Sequence, residues 1–302
     1  MALQIIITIF LIVSITFFIA HLIPGSPFFS FGKTPSSIVT DNISSNVGLN
    51  ENIFVQYWEF LKNLFCFDLG SSLIYSGVSV YKIVFNAVFS SVQIGFFSVI
   101  FSILSVVLMT MATGKLRKYR VVNSIIGIIG TTIPTFVFAV LFQWLICVVL
   151  KITTPFWDHS FVSSLPAICS LSIYPTAYLT SILSNSIDDE MSKLYCKLFL
   201  LRGKSNGQVL LKNALPNALP SIIGAAIPLF INTLMGSFVV EKFFAINGLG
   251  WYFISSITNR DYPLVLGLTF FYSAFFVCVT VIADTWLNFY VKKFNSSNGV
   301  EH

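Results

Sequence analysis

Six long apolar runs leave this chain few folds to choose from. They are roughly Leu3–Ile23, Asn86–Thr113, Val121–Leu150, Phe161–Leu183, Leu215–Val240 and Leu264–Val291. Runs of about twenty such residues cross a hydrocarbon core about 30 Å thick as helices. A helix pairs its backbone N–H and C=O groups internally, which lipid requires. Of the 302 residues 56% are hydrophobic and 10% charged, whereas soluble domains carry about a quarter charged residues. The expected fold is an all-α integral membrane protein with six transmembrane helices and no separate soluble domain. Its parts are a first helix (1–24), an external loop with a short amphipathic helix (25–85), a five-helix core (86–291) and a tail (292–302).

The first run is longer than the apolar core of a leader peptide, and no Ala-x-Ala site follows it. It reads as an uncleaved helix ending at His21-Leu22-Ile23-Pro24-Gly25; the alternative is a cleaved leader. The net charge is +5, and its placement sets the topology. Lys115, Arg117, Lys118 and Arg120 fall between runs two and three, and Lys193, Lys197, Arg202, Lys204 and Lys212 between runs four and five. Lys292 and Lys293 follow the last run. Basic loops face the cytoplasm, so both termini and the polar segment 185–216 are expected there. Topology accounts for the basic balance, and nucleic acid is not needed as a partner.

Within the external loop Phe54, Tyr57, Trp58, Leu61 and Leu64 recur at helical spacing, as in an amphipathic helix lying at a membrane interface. Phe67-Asp68-Leu69-Gly70-Ser71-Ser72 reads as a turn before the second span. Pro134, Pro175 and Pro228 lie inside runs and each removes a helical hydrogen bond. They suit either spans that move or static packing kinks.

The polar segment Asn185–Pro216 reads as two short helices. Ser186 and Asp189 have capping-box spacing, with Asp188, Asp189 and Glu190 at the positive end of a helix dipole. Ile187, Met191, Leu194, Tyr195, Leu198 and Phe199 then share one face. Gly203 is placed to end this helix in the left-handed conformation. Ser205 and Gln208 form a second capping box, opening a helix that runs to Leu215-Pro216. The module is either a docking surface for a cytoplasmic partner or an interfacial helix resting on the inner leaflet.

Catalytic chemistry is not expected. His21, His159 and His302 are dispersed, and the five cysteines (Cys66, Cys147, Cys169, Cys196, Cys278) form no Cys-x-x-Cys pair, so neither a metal site nor a disulfide framework is expected. Pro27–Thr34 only faintly echoes a phosphate-binding loop, with no glycine at its start, and Gly248-Leu249-Gly250 reads as a turn. Asp284 is the one ionisable residue clearly inside a run, either a packing or inner-boundary residue or part of an ion site.

These segments together resemble the membrane-spanning permease subunits of bacterial ABC importers, in the oligopeptide/dipeptide/nickel branch. Leu22-Ile23-Pro24-Gly25-Ser26-Pro27 is similar to the family's Leu-Pro-Gly-Asp-Pro, and Asp68-Leu69-Gly70-Ser71-Ser72 to its Gly-Asp-Leu-Gly-x-Ser. Ile133-Pro134-Thr135-Phe136 resembles its Ile-Pro-Ser-Phe. Glu241 to Gly250 resembles Glu-x-x-Phe-x-x-Pro-Gly-Leu-Gly, with Asn247 in place of proline. Arg260-Asp261-Tyr262-Pro263 matches Arg-Asp-Tyr-Pro, and Ala283-Asp284 resembles Val-Asp, although the customary Asp-Pro-Arg is replaced by Val291-Lys292-Lys293.

The resemblance implies a type I ABC importer (MetI-like) transmembrane domain with no ATPase site and no cofactor. It implies a homologous sister permease, two cytoplasmic ABC ATPase subunits and an extracytoplasmic substrate-binding protein as partners, in a bacterial cell membrane. The family's EAA motif, whose coupling helix docks on the ATPase, falls on Arg202, Gly203, Lys204, Ser205, Gln208, Leu215 and Pro216, while Lys197-Leu198-Phe199 stand where it has Glu-Ala-Ala. An outer gate or loop would use Glu241, Asn247, Gly248, Gly250 and Asp261. Peptides, nickel or a metal chelate are the implied substrates, and the sparse metal ligands disfavour a naked metal ion. The rival readings are an ion-gradient-driven secondary transporter and a non-transporting scaffold.

Overall fold

In a membrane the hydrophobic effect does not drive helices together, so small and hydroxyl-bearing residues mark the surfaces that pack. A computed structural model of the chain describes residues 2–22, 51–75, 77–113 and 119–297. Its helices are α1 (Ala2–Leu22), α2 (Ile53–Phe65), α3 (Val80–Thr113), α4 (Tyr119–Thr132), α5 (Thr135–Gln143), α6 (Phe161–Ser192), α7 (Leu194–Leu201), α8 (Asn206–Val209), α9 (Leu215–Phe243), α10 (Leu249–Thr258) and α11 (Tyr262–Ser297). Among the described residues five helices are long and apolar enough to cross a membrane, and six if the bent pair α4–α5 counts as one span. Ile23–Pro27, the Pro27–Thr34 stretch, Lys115–Lys118 and the last five residues lie outside the described residues. The chain divides into two units, residues 1–90 with 247–279 and residues 91–246 with 280–302.

In the first unit α1 buries a stripe of Val13, Phe17 and Ala20 at helical spacing, while Ile6, Phe10, Ile15, Ile19 and Leu22 are among its exposed residues. Helix α2 starts at Asn52, whose side chain accepts the Phe54 N–H at 3.0 Å, and packs on α1 through Tyr57 and Phe60, ring centroids 5.2 and 5.4 Å from Phe17. The expected apolar face of α2 is therefore split. Leu61 is buried, whereas Phe54 and Trp58 are exposed. Gly267 of α11 permits a close approach: a Cβ there would collide with Val80.

The second unit is organised around α6, the most buried of the spans at 61%, compared with 17% for α1. Ser98 and Ser102 of α3 donate to the backbone carbonyls of Ile168 and Ser172 at 3.3 and 3.0 Å. On the other side Asn123 Nδ2 donates to Ser184 Oγ at 3.0 Å. Gly130 lets α4 close on α6, because a Cβ there would stand 2.6 Å from that of Ala177.

Three expectations change here. The third run is no kinked helix but two helices bent by 97° at Ile133-Pro134. Proline drives its preceding residue out of the α region and cannot donate, and Pro134 is itself extended at φ −58, ψ 141. Helix α5 continues into a π-helical turn, Trp144–Val149. By contrast Pro175 and Pro228 sit inside unbroken helices. The second span begins at Val80, earlier than the expected Asn86. A helix the sequence reading lacked, α10, follows the turn at Gly248.

Candidate functional site

The helical ladder runs straight through the proposed first cap of the polar segment. Helix α6 extends to Ser192, so Ser186 and Asp189 are interior residues and no capping box forms there. Complete burial of Leu183 and Ile187 along this stretch outweighs the local preference of Ser and Asp for a helix start. Asp188, Asp189 and Glu190 therefore sit at the negative end of the helix. The break falls at Lys193, with φ −67 and ψ 151.

A polar brace spans that break. Lys193 Nζ pairs with Glu190 Oε1 at 2.6 Å, and the Tyr195 hydroxyl donates to Glu190 Oε2 at 2.6 Å. The same hydroxyl accepts from Asn217 Nδ2 at 3.1 Å, tying α7 to the first turn of α9. Burial, and then the hydrogen bond to Glu190, raise the Tyr195 phenol above its ordinary pKa. It therefore keeps its proton at neutral pH and remains a donor.

Helix α7 ends as expected at Gly203, whose φ is +83. The N–H of Gly203 donates to Leu200 O at 3.0 Å and that of Lys204 to Phe199 O at 3.2 Å, the paired bonds of a Schellman ending. Arg202 is the C-cap. The Lys204 ammonium lies 4.2 Å from the centre of the Phe199 ring. Ser205 and Gln208 then form the expected capping box, at 3.2 and 3.3 Å.

Leu215 and Pro216 do not close the module. A π-helical turn, Leu210–Ala214, carries α8 without interruption into α9. The Leu215 N–H reaches back to Leu210 O, a wider i→i+5 register next to a proline that cannot donate.

Burial sorts the module into an anchoring face and an exposed face. Cys196, Val209, Leu210, Ala214 and Leu215 are buried with Leu183 and Ile187, and Tyr195, Phe199 and Leu200 pack against them. Phe199, bulky where the EAA pattern has alanine, thus packs inward. Leu194, Leu198 and Leu201, on one side of α7, are exposed, Leu201 at 83%. Lys197, Arg202, Gly203, Lys204, Ser205, Gln208 and Pro216 are also exposed.

The other candidate residues fall in two places. Within the second unit Glu241 is wholly buried in the last turn of α9. Its Oε1 accepts from Ser91 Oγ at 2.8 Å and Ser237 Oγ at 2.7 Å. Within the first unit Asn247 is exposed, while Gly248, the N-cap of α10, and Gly250 are buried. Asp261, also wholly buried, gathers the turn before α3. It accepts from the Ser72 hydroxyl and from the N–H groups of Leu73 at 3.1 Å and Ile74 at 3.3 Å. It also accepts the Leu264 N–H at 3.4 Å, capping α11. Asp284 lies in α11, and its side chain is outside the described residues. The sequence reading missed Glu190, Asn217, Ser72 and Ser91 as partners. Among the described residues no group of three or more His, Cys, Asp or Glu could hold a metal.

Comparison with known proteins identifies the family. Residues 105–296 match the family model described as binding-protein-dependent transport system inner membrane component. Residues 1–75 match the model for the N-terminal part of such membrane components. The dipeptide transport system permease protein DppB of Bacillus subtilis is 29% identical over 92% of this chain and 90% of its own length. The oligopeptide transport system permease protein OppB of Haemophilus influenzae is 29% identical over 92% of each chain. That of Escherichia coli K12 is 29% identical over 87% of each. Since one family model spans most of the chain and helices suited to a membrane run throughout, this chain belongs to the binding-protein-dependent transport system inner membrane components, the permease subunits of ABC importers.

Proposed function

We propose that this chain lines half of the pathway of an ATP-driven peptide importer, and that residues 194–209 are where an ATPase subunit docks. The observation that carries the reading is the exposed tip of the module. An apolar stripe of Leu194, Leu198 and Leu201 and the basic Lys197, Arg202 and Lys204 stand on a rigid, doubly capped base whose inner face is buried. In this reading the module and both termini lie in the cytoplasm. A homologous sister permease completes the pathway, two ABC ATPases sit below, and an extracytoplasmic binding protein delivers the substrate to the turns around Asn247, Gly248, Gly250 and Asp261. Glu241 ties the end of α9 to α3 through Ser91, and Asp284 is assigned to the inner boundary of the last span.

Peptides are the substrate class we adopt, because the relatives that align over nearly the whole chain are named for dipeptides and oligopeptides. Nickel and metal chelates, the other substrates of the branch, have no comparable support.

Gly203 supplies the test. A Cβ there meets nothing within 4 Å, so Gly203→Val strains only a left-handed backbone, by roughly 1–2 kcal/mol. The module should then be mis-set against its ATPase in an importer that still assembles. Uptake in proteoliposomes should fall at least about tenfold, a loss of about 1.4 kcal/mol of coupling, while ATP hydrolysis persists. Unaltered uptake would overturn the docking assignment.

A further inference from the structure

Helix α2 is more apolar around its circumference than its seat on α1 requires. At 3.6 residues per turn Phe54, Trp58 and Phe65 fall within about 40° of one another, and they are 69%, 60% and 78% exposed. Tyr57 and Phe60, which pack on α1, lie on the adjoining arc, and Glu59 and Asn63 lie opposite. We infer that this aromatic arc is seated in a lipid leaflet, with phospholipid as its occupant, making α2 an in-plane anchor.

Two observations specify lipid. The first is depth. The Tyr57 hydroxyl meets Ser14 Oγ at 2.7 Å and Gln56 Oε1 meets His21 Nε2 at 3.1 Å. One turn of α2 thus touches two turns of α1, as a crossing helix does. Ser14 lies eight residues before the end of α1, about 12 Å along its axis, so α2 crosses within the length of the span. The second is exposure. Helix α1 is only 17% buried, and its Phe10, Leu11, Ile15, Ile19 and Leu22 are exposed, as is the aromatic arc of the helix that packs on it. Trp side chains such as Trp58 favour the membrane–water boundary. Lys62 places its ammonium 5.8 Å from the Trp58 ring, and a lysine beside such an arc can extend its charge to the headgroups. Helix α2 leads directly into the turn that Asp261 gathers, so the anchor sets the level of that turn in the membrane.

Spin labels at positions 54, 58 and 65, and at 59 and 63, test this in a chain whose five native cysteines are replaced. The chain is reconstituted in phosphatidylcholine–phosphatidylglycerol nanodiscs with the subunits that co-purify with it. Collision with oxygen should exceed collision with a water-soluble nickel chelate at 54, 58 and 65, and the order should reverse at 59 and 63. Equal nickel access at all five positions would overturn the inference. So would shielding of 54, 58 and 65 from both probes, which would mean that protein covers the arc. A label-free arm compares the native chain with Trp58→Phe in brominated phosphatidylcholine: the variant should lose part of the bromine-quenched fluorescence. An identical quenched fraction would count against lipid seating whatever the labels report.

Discussion

Asp261→Ala should release the turn before α3 and loosen the first turn of α11. The carboxylate is wholly buried and receives the Ser72 hydroxyl, the Leu73 and Ile74 N–H groups at 3.1 and 3.3 Å, and the Leu264 N–H at 3.4 Å. Each buried donor stranded by its removal costs about 1–3 kcal/mol, and the lost cap adds about 1 kcal/mol. Ser72 also receives the Ile74 and Tyr75 N–H groups at 3.2 and 2.9 Å and can turn its proton elsewhere. Water can reach the freed amides as well, so the sum is an upper bound and about 2 kcal/mol is the net expectation. That amounts to roughly thirtyfold faster amide exchange at Leu73 and Ile74, at 1.4 kcal/mol per decade. Hydrogen exchange read by mass spectrometry on the chain in nanodiscs gives the local rate, with peptides from α6 as the internal control. Unchanged exchange at 73–74 would refute the reasoning, and faster exchange throughout would show global unfolding in place of a released turn.

Other consequences are checked by similar means. Tyr195→Phe removes the donor to Glu190 and the acceptor for Asn217; in a partly exposed place this should cost about 1 kcal/mol, seen as a lower melting temperature and weaker coupling of ATP hydrolysis to uptake. Gly267→Ala drives a methyl into Val80 and should cost about 1–3 kcal/mol by overpacking, with Val80→Ala in the same chain restoring part of the loss in thermal unfolding. Ser102→Ala removes one interhelical bond to Ser172 and should cost only about 0.6 kcal/mol, the average in membrane helix bundles; a loss above about 2 kcal/mol would contradict that. Hydrogen bonds from Ser160 and Ser163 lower the Asp158 carboxyl from 3.8 to about 2. A depressed carboxylate contributes stability above its unfolded pKa and loses it as pH falls through the folded one. The melting difference between the native chain and Asp158→Asn should therefore be constant from pH 7 to 5 and shrink toward pH 2.

What the sequence revealed and what it hid divide by range. The spans were readable because each apolar run carries its own signal, and Gly203 and the Ser205–Gln208 box because their chemistry closes within four residues. The false cap at Ser186 shows the limit: Ser and Asp had the spacing, but burial of Leu183 and Ile187 decided the outcome. Pro134 announced a break, yet nothing local sets its 97° angle. Helix α10 was too short to register beside the spans. The brace from Tyr195 to Asn217 crosses 22 positions and the clasp from Ser72 to Asp261 crosses 189, so only the fold reveals these pairs.

The central claim is that this permease imports peptides using ATP hydrolysed by subunits docked on residues 194–209. Uptake of a labelled oligopeptide pool into proteoliposomes holding the assembled importer, with its binding protein outside and ATP sealed inside, tests it most directly. Accumulation that requires internal ATP, persists with ionophores present and falls with Gly203→Val is the predicted result. Uptake that follows an imposed ion gradient without ATP would contradict the account.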